Sequence, residues 1–353
     1  MTAHPFTAVL LIPTGIGAAI GGYAGDAIPV VRTMATVCDR IITHPNVLNG
    51  AQLYWPLSNA WYVEGYALDQ FAAGHWGLRP VHRNRIGLVL DRAIEAELRL
   101  RHLQAVDAAR ATLGLIVDDV LITDMPLGVT LKTAASGAAW GTIDHPDSLL
   151  RAVDQLLTHG KVDAIAVVAR FPDDSNSDML QAYRQGHGVD LLAGAEAVIS
   201  HLVVQRFHIP CAHAPALAPL PLAPALNPKA AAEELGYTFL PSVLAGLSRA
   251  PQVMTDPHHP TDLWRDQVDA VVVPATACGG SAVLSFSRSQ AQIITVQENT
   301  TRMSTTADTL GIQHRIAQSY LEAVGILAAM KAGIDERVLR PSISITQVQE
   351  PVE

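Results

Sequence analysis

The chain has 353 residues, 49% of them apolar and only 16% charged, with a net charge of −9. This composition buries a substantial core, and an acidic balance without a basic stripe excludes nucleic acid or an anionic membrane as partner. Three scattered cysteines rule out a disulfide framework, and no apolar run approaches the roughly 18 residues of a membrane helix.

The first predicted element is a buried strand at residues 8–12, followed by a glycine-rich turn and a helix near 26–38 whose Pro29 is tolerated only in the first turn. Ile41 and Ile42 form a second strand, entering a loop at His44. Residues 52–76 hold three of the five tryptophans, which suits a lid, an oligomer interface around Trp55 and Trp61, or a satellite of the core. A strand at 85–90 leads into an amphipathic helix from Asp91. Strands follow at 115–123 and 127–131, then a helix at 147–158 and a buried strand at 162–169.

Residues 193–207 read as a helix leading to Ile209 and a loop at Cys211. The proline-rich stretch 215–228 is an extended crossover or a boundary. Strands at 269–273 and 292–296 precede a last helix over 316–331. Strands alternating with helices at this spacing predict an α/β fold, a mainly parallel sheet with Rossmann-like layers covered on both faces. The chain is one unit over 1–353, or two lobes around a cleft: 1–145 with the glycine-rich loop and 146–353 with the cysteine loops.

Four polar loops end these apolar runs, where ligands bind in α/β folds. In the first, Thr14, Gly15, Gly17, Gly21 and Gly22 lie between a strand and a helix, where glycines let main-chain amides approach an anion. Ile20 stands where a dinucleotide fingerprint wants glycine, and no acidic residue ends the second strand. The second loop offers His44, Asn46 and Asn49 as hydrogen-bonding groups, with Glu64 and Asp69 available to orient a histidine; turn chemistry explains the asparagines equally. In the third, Cys211 and His213 share one face if extended, as a thiol–imidazole pair or as packing. Cys and His at that spacing match no zinc pattern, and no metal site is expected.

The fourth is Thr276, Cys278, Gly279, Gly280 and Ser281, where a thiol before a helix start would have a lowered pKa; the plain alternative is an inert buried cysteine. Glu298 and Asn299 form a similar polar exit after the following strand.

The runs at 12–17, 43–50, 210–215 and 274–281 together resemble an uncharacterised family, a domain of unknown function found in cyanobacteria and plastid-bearing organisms. The resemblance covers nearly the whole chain and implies a photosynthetic source and one folded unit, but no activity. A looser likeness is to the cofactor-independent aspartate/glutamate racemases, which use two cysteines facing each other across a cleft. Cys211 and Cys278 would be that pair, although the family's Cys-Asn-Thr and Cys-Thr-His surroundings are missing.

The reading that follows is a soluble, cytoplasmic α/β enzyme acting on a small anionic metabolite. Cys278 would be nucleophile or acid/base, His213 or His44 its proton partner, and the amides of residues 15–22 the anion site; the sequence requires no cofactor. The rivals are a regulatory protein binding a nucleotide or metabolite without catalysis, and a homo-oligomeric interaction protein using the aromatic segment.

Overall fold

The computed structural model describes residues 4–48, 56–173, 178–234, 240–256 and 259–341. The chain opens with β1 (Thr7–Leu10), α1 (Ile28–Met34), β2 (Arg40–Thr43), α2 (Pro45–Leu48), β3 (Ala60–Tyr62) and α3 (Gly65–Ala73). It then runs through β4 (Gly77–Arg79), β5 (Arg85–Leu90), α4 (Ala96–Leu113), β6 (Ile116–Ile122), β7 (Val129–Thr133), β8 (Ala139–Ile143) and α5 (Pro146–His159). Next come β9 (Ala164–Arg170), α6 (Asp178–Arg184), α7 (Ala193–Phe207), β10 (Cys211–Ala216), α8 (Pro228–Ala232), α9 (Leu240–Leu247) and β11 (Gln252–Met254). It closes with β12 (Ala270–Pro274), α10 (Ser281–Phe286), β13 (Gln292–Val296), β14 (His314–Ala317) and α11 (Tyr320–Lys331).

Two parallel sheets result. The first has the order β14-β13-β12-β1-β2-β3, which in its own strand count is the doubly wound 3-2-1-4-5-6 arrangement. The second, β10-β9-β5-β6, is inserted between β3 and β12. The short strands β4 and β11, where the chain passes into and out of this insertion, pair antiparallel. Both sheets draw strands from each side of residue 145. The first takes residues 7–62 and 270–317, the second 85–122 and 164–216.

The pleat explains why both faces of each sheet are apolar. Ala8 and Leu10 of β1 pack with Val31 and Met34 of α1 and Leu327 of α11, while Val9 and Leu11 face Phe71 of α3 and Phe286 of α10. In the second sheet Leu88 and Ala166 share a cluster with Val106 of α4 and Leu244 of α9. Val89 and Val167 share the other with Val153 of α5 and Val203 of α7. Close helix–sheet contact is allowed by glycine: a Cβ on Gly194 of α7 would stand 2.3 Å from the Trp140 Cα of β8.

Several expected elements shift. The Cys211 segment is not a loop after a strand but the strand β10 itself, paired with β9 from Cys211 to Ala216. Ile316 belongs to edge strand β14, and the last helix begins at Tyr320 with Ser319 as its N-cap. The helix expected from Asp91 starts at Ala96, because the Asp91 carboxylate is spent on the Ala93, Leu127 and Arg170 amides.

Candidate functional site

In a doubly wound sheet the crevice lies at the carboxyl ends of the strands where the order reverses, here between β1 and β12. The loop that leaves β1 there is fastened by side chains that looked like ligand contacts. His44 Nε2 accepts from the Ile12 N–H at 3.1 Å. Burial pushes its pKa down to about 4, so it is neutral and acceptor-only at that nitrogen. The Asn46 side-chain amide donates to Gly21 O at 3.1 Å. Asn299 accepts from Ile20 N–H at 3.0 Å and donates to Ile20 O and the Tyr320 hydroxyl. Glu298 accepts from the Tyr320 N–H at 2.8 Å. The Gly21 amide is already taken by the Asp26 carboxylate. His44, Asn46 and Asn299 therefore hold the loop rather than reach out of it, Glu298 is spent on the start of α11, and Asn49 lies outside the described residues.

What the loop presents is main chain. A cavity of about 420 Å³ is lined by Gly17, Ala18, Ala19, Gly22 and Tyr23, by Gly186–Gly188, Asn227 and Lys229 of the inserted unit, and by Thr300–Arg302 after β13. The amides of Gly17, Ala18 and Gly22 have no acceptor among the described residues. Gly17 sits at φ +60°, and a Cβ there would come within 3.0 Å of Gly188 O across the cleft, so only glycine fits. Thr14 is half-buried and Gly15 O accepts from the Ala139 N–H at 2.8 Å, both beside rather than in the cavity. Lys229 Nζ reaches Asp26 Oδ2 at 2.9 Å and Ala19 O at 2.6 Å, whereas the exposed Arg302 guanidinium has no ion pair among the described residues.

The thiols are placed differently from the expectation. Cys211 and Cys278 are both fully buried. Burial raises the Cys211 pKa well above the ordinary thiol value, reinforced by Glu64, and raises that of Cys278. Cys278 Sγ lies 3.5 Å from Ala275 O, and Cys211 Sγ 3.9 Å from Ala212 O. Burial and a raised pKa both run against activation of either thiol, and the two are far apart in the topology, Cys211 within β10 and Cys278 after β12. The helix start at Ser281 is already occupied: Asp69 of α3 lies against the Ala282 amide and the Ser281 hydroxyl. Thr276 bonds Thr301 at 2.8 Å, Gly279 abuts Thr305, and a Cβ on Gly280 would meet nothing.

Where the two units meet, a seam of buried acid–base groups runs beside the cavity. Tyr23 stacks on Tyr183 at 4.3 Å between ring centres and donates to Tyr183 O. The Tyr183 hydroxyl meets Glu233, which also accepts from the Ala24 amide. Burial raises the Glu233 pKa to about 8, with Asp190 adding to it, and raises Asp190 to about 6. Glu196 is pushed well above the carboxylate range by burial and by these two neighbours. Further along, Glu64 caps α3 with Oε2, accepting from Tyr66 and Ala67, while its Oε1 faces His201 and Ser200 of α7. His213 Nδ1 lies 3.1 Å from Ser200 Oγ and its Nε2 3.7 Å from Glu196.

Cys211 and His213 do share a face of β10, yet the imidazole engages serine, not the thiol. Sequence reasoning missed Glu196, Ser200 and His201. Their signal was spacing: Glu196 and Ser200 stand four apart on a largely buried helix, where apolar residues are the rule.

The fold is that of an α/β protein whose cavity lies between the doubly wound sheet's loops and the inserted unit. The family described as "protein of unknown function (DUF3326)" matches residues 7–340, and the chain belongs to it. An uncharacterized lipoprotein of Synechococcus is 59% identical over 342 residues, covering 97% of this chain and 95% of the relative. That relative overturns the expectation of a cytoplasmic protein, which is withdrawn; among the described residues no helix is long and apolar enough to cross a membrane. A periplasmic ribose ABC transporter crystal structure from Conexibacter woesei is 14% identical, spanning 57% of this chain and 84% of its own. Its TM-score of 0.17 carries no argument.

Proposed function

We propose that the protein binds a small anionic metabolite or nucleotide in the cavity between the two units, with carboxyl–imidazole rather than thiol chemistry beside it. The observation that carries this reading is the meeting of three unengaged main-chain amides with Lys229 and Arg302 in one cavity at a topological switch point. Amides fix the geometry of a phosphate or carboxylate, and Arg302 supplies charge that no carboxylate among the described residues already neutralises, beside a Lys229 held by Asp26. The deep burial of both thiols weighs against a two-cysteine racemase. The buried acids next to Tyr23 favour an enzyme over a passive binder, because titratable groups held far from their ordinary pKa cluster where protons are moved.

The test is calorimetric titration with inorganic phosphate, nucleoside monophosphates and small carboxylated or phosphorylated metabolites. At least one should bind with a Kd below about 1 mM, roughly 4 kcal/mol, and Arg302→Ala should weaken it about tenfold. Absence of binding across the panel, or binding indifferent to both Arg302→Ala and Lys229→Ala, contradicts the reading.

A further inference from the structure

Glu64, His201, Ser200, His213 and Glu196 form a row that begins at solvent and ends at a buried carboxyl. The His201 side chain is 41% exposed, Glu64 only 2%, and His213 and Glu196 14% each. The buried His201 Nδ1 lies in ion-pair contact with Glu64 Oε1, without hydrogen-bond alignment. The same oxygen is 3.4 Å from Ser200 Oγ, which is 3.1 Å from His213 Nδ1, and His213 Nε2 is 3.7 Å from Glu196 Oε2. The last gap is longer than a direct hydrogen bond. Each member both gives and takes a proton, and the row is drawn from three elements, the start of α3, one face of α7 and β10. A group independent of the row also points to it. The Tyr62 hydroxyl, on a residue 4% exposed, has no hydrogen-bond partner among the described residues and lies within electrostatic reach of Glu64, Glu196 and Cys211.

From this geometry we infer a proton relay that reloads Glu196 from solvent through His201. Its catalytic use rests on the proposed ligand site; the relay itself does not. When Glu196 gives up its proton, the carboxylate takes the His213 Nε2 proton. His213 Nδ1 takes the Ser200 hydroxyl proton, and Ser200 Oγ is reprotonated from Glu64, which is supplied by the His201 Nδ1 proton. Net, His201 takes one proton from solvent at Nε2 and loses the one on Nδ1, Glu196 gains one proton, and both imidazoles end as their other tautomers.

The surroundings suit these roles. Glu196 faces Asp190, Glu233 and His213, and a carboxyl beside two others in a dry site keeps its proton. His213 is neutral, pushed down to about 3 by burial and by His201. Burial opposes charge on His201, but Glu64 and Asp69 outweigh it and raise its pKa, as a proton entry group needs.

The experiment is infrared spectroscopy of the ligand-free, full-length protein, following the C=O stretch of protonated carboxyls on transfer to D2O. A Glu196→Gln variant should lose one such band. In the wild type that band should exchange rapidly. In His201→Ala and in Ser200→Ala, which removes only a hydroxyl, exchange should slow tenfold or more with band intensity unchanged. Added imidazole should restore the rate in His201→Ala, a rescue that a merely structural histidine would not show. No band assignable to Glu196, an unchanged rate in both variants, or a slowed rate that imidazole leaves slow would each overturn the relay. Since no ligand is present, failure of anion binding in the calorimetric titration is read separately.

Discussion

Cys211 and Cys278 show how one residue type misleads when only its neighbours in sequence are known. Gly279 and Gly280 suggested an open loop, yet Cys278 packs beneath it with Phe286 and Val283 in one apolar cluster. In native protein at mildly alkaline pH both thiols should alkylate at least about tenfold more slowly than a free thiol of pKa ~8.5. Mass spectrometry resolved by site checks this, and rapid labelling of either one would restore the thiol mechanism. His44 makes the opposite point, for its imidazole is functional only as an acceptor. Held near a pKa of about 4, it refuses a proton that the unfolded chain accepts near about 6.5. Its contribution to stability is whole above the unfolded value and is lost as pH falls toward the folded one, on the order of 3 kcal/mol in full. His44→Gln keeps an acceptor for the Ile12 amide without titrating. Between about pH 7 and about pH 4.5, urea unfolding should show the wild type losing roughly 2 kcal/mol more than the variant. Equal losses would mean that His44 is protonated in the fold.

The glycine loop is the element on which the site depends, and its conformation is imposed from outside. Asn299, after β13, clamps both polar groups of Ile20, and Asn46, after β2, clamps Gly21 O. Asn299→Ala should cost about 1–3 kcal/mol, because Ile20 and the buried Tyr320 hydroxyl lose their partner. It should also speed proteolysis within residues 14–26; unchanged stability and cleavage would show that the loop holds itself. This explains how much was legible in sequence. The strands at 85–90 and 292–296 and the helix at 193–207 were readable to the residue, because a buried parallel strand is a bounded apolar run and a helix carries its own period. Edge strand β14, His-Arg-Ile-Ala, has no such run, and hairpin strand β8 is held by contact with α7 rather than by its own composition. The polar loops were legible as places, whereas their roles were not. Whether Asn299 binds a ligand or a neighbouring loop depends on which strands lie side by side, and that is set by pairings some 270 residues apart.

At the scale of the whole molecule, the insertion makes the site. The doubly wound sheet alone supplies a switch point and a loop of amides. The inserted unit brings Lys229, the Gly186–Gly188 turn and the buried acids to face it. Polar groups are normally kept out of an interface this deep, since each unpaired one costs a few kcal/mol. Their concentration between the two units, while both sheets have apolar faces, is what supports placing the proposed site at the seam.

The most direct test of this account is amide hydrogen exchange of the full-length protein, with and without the tightest anion from the calorimetric panel. The account predicts new protection confined to residues 15–25, 186–190 and 300–302. Protection centred instead on residues 276–281, with the glycine loop unchanged, would place the ligand at the Cys278 loop and contradict it.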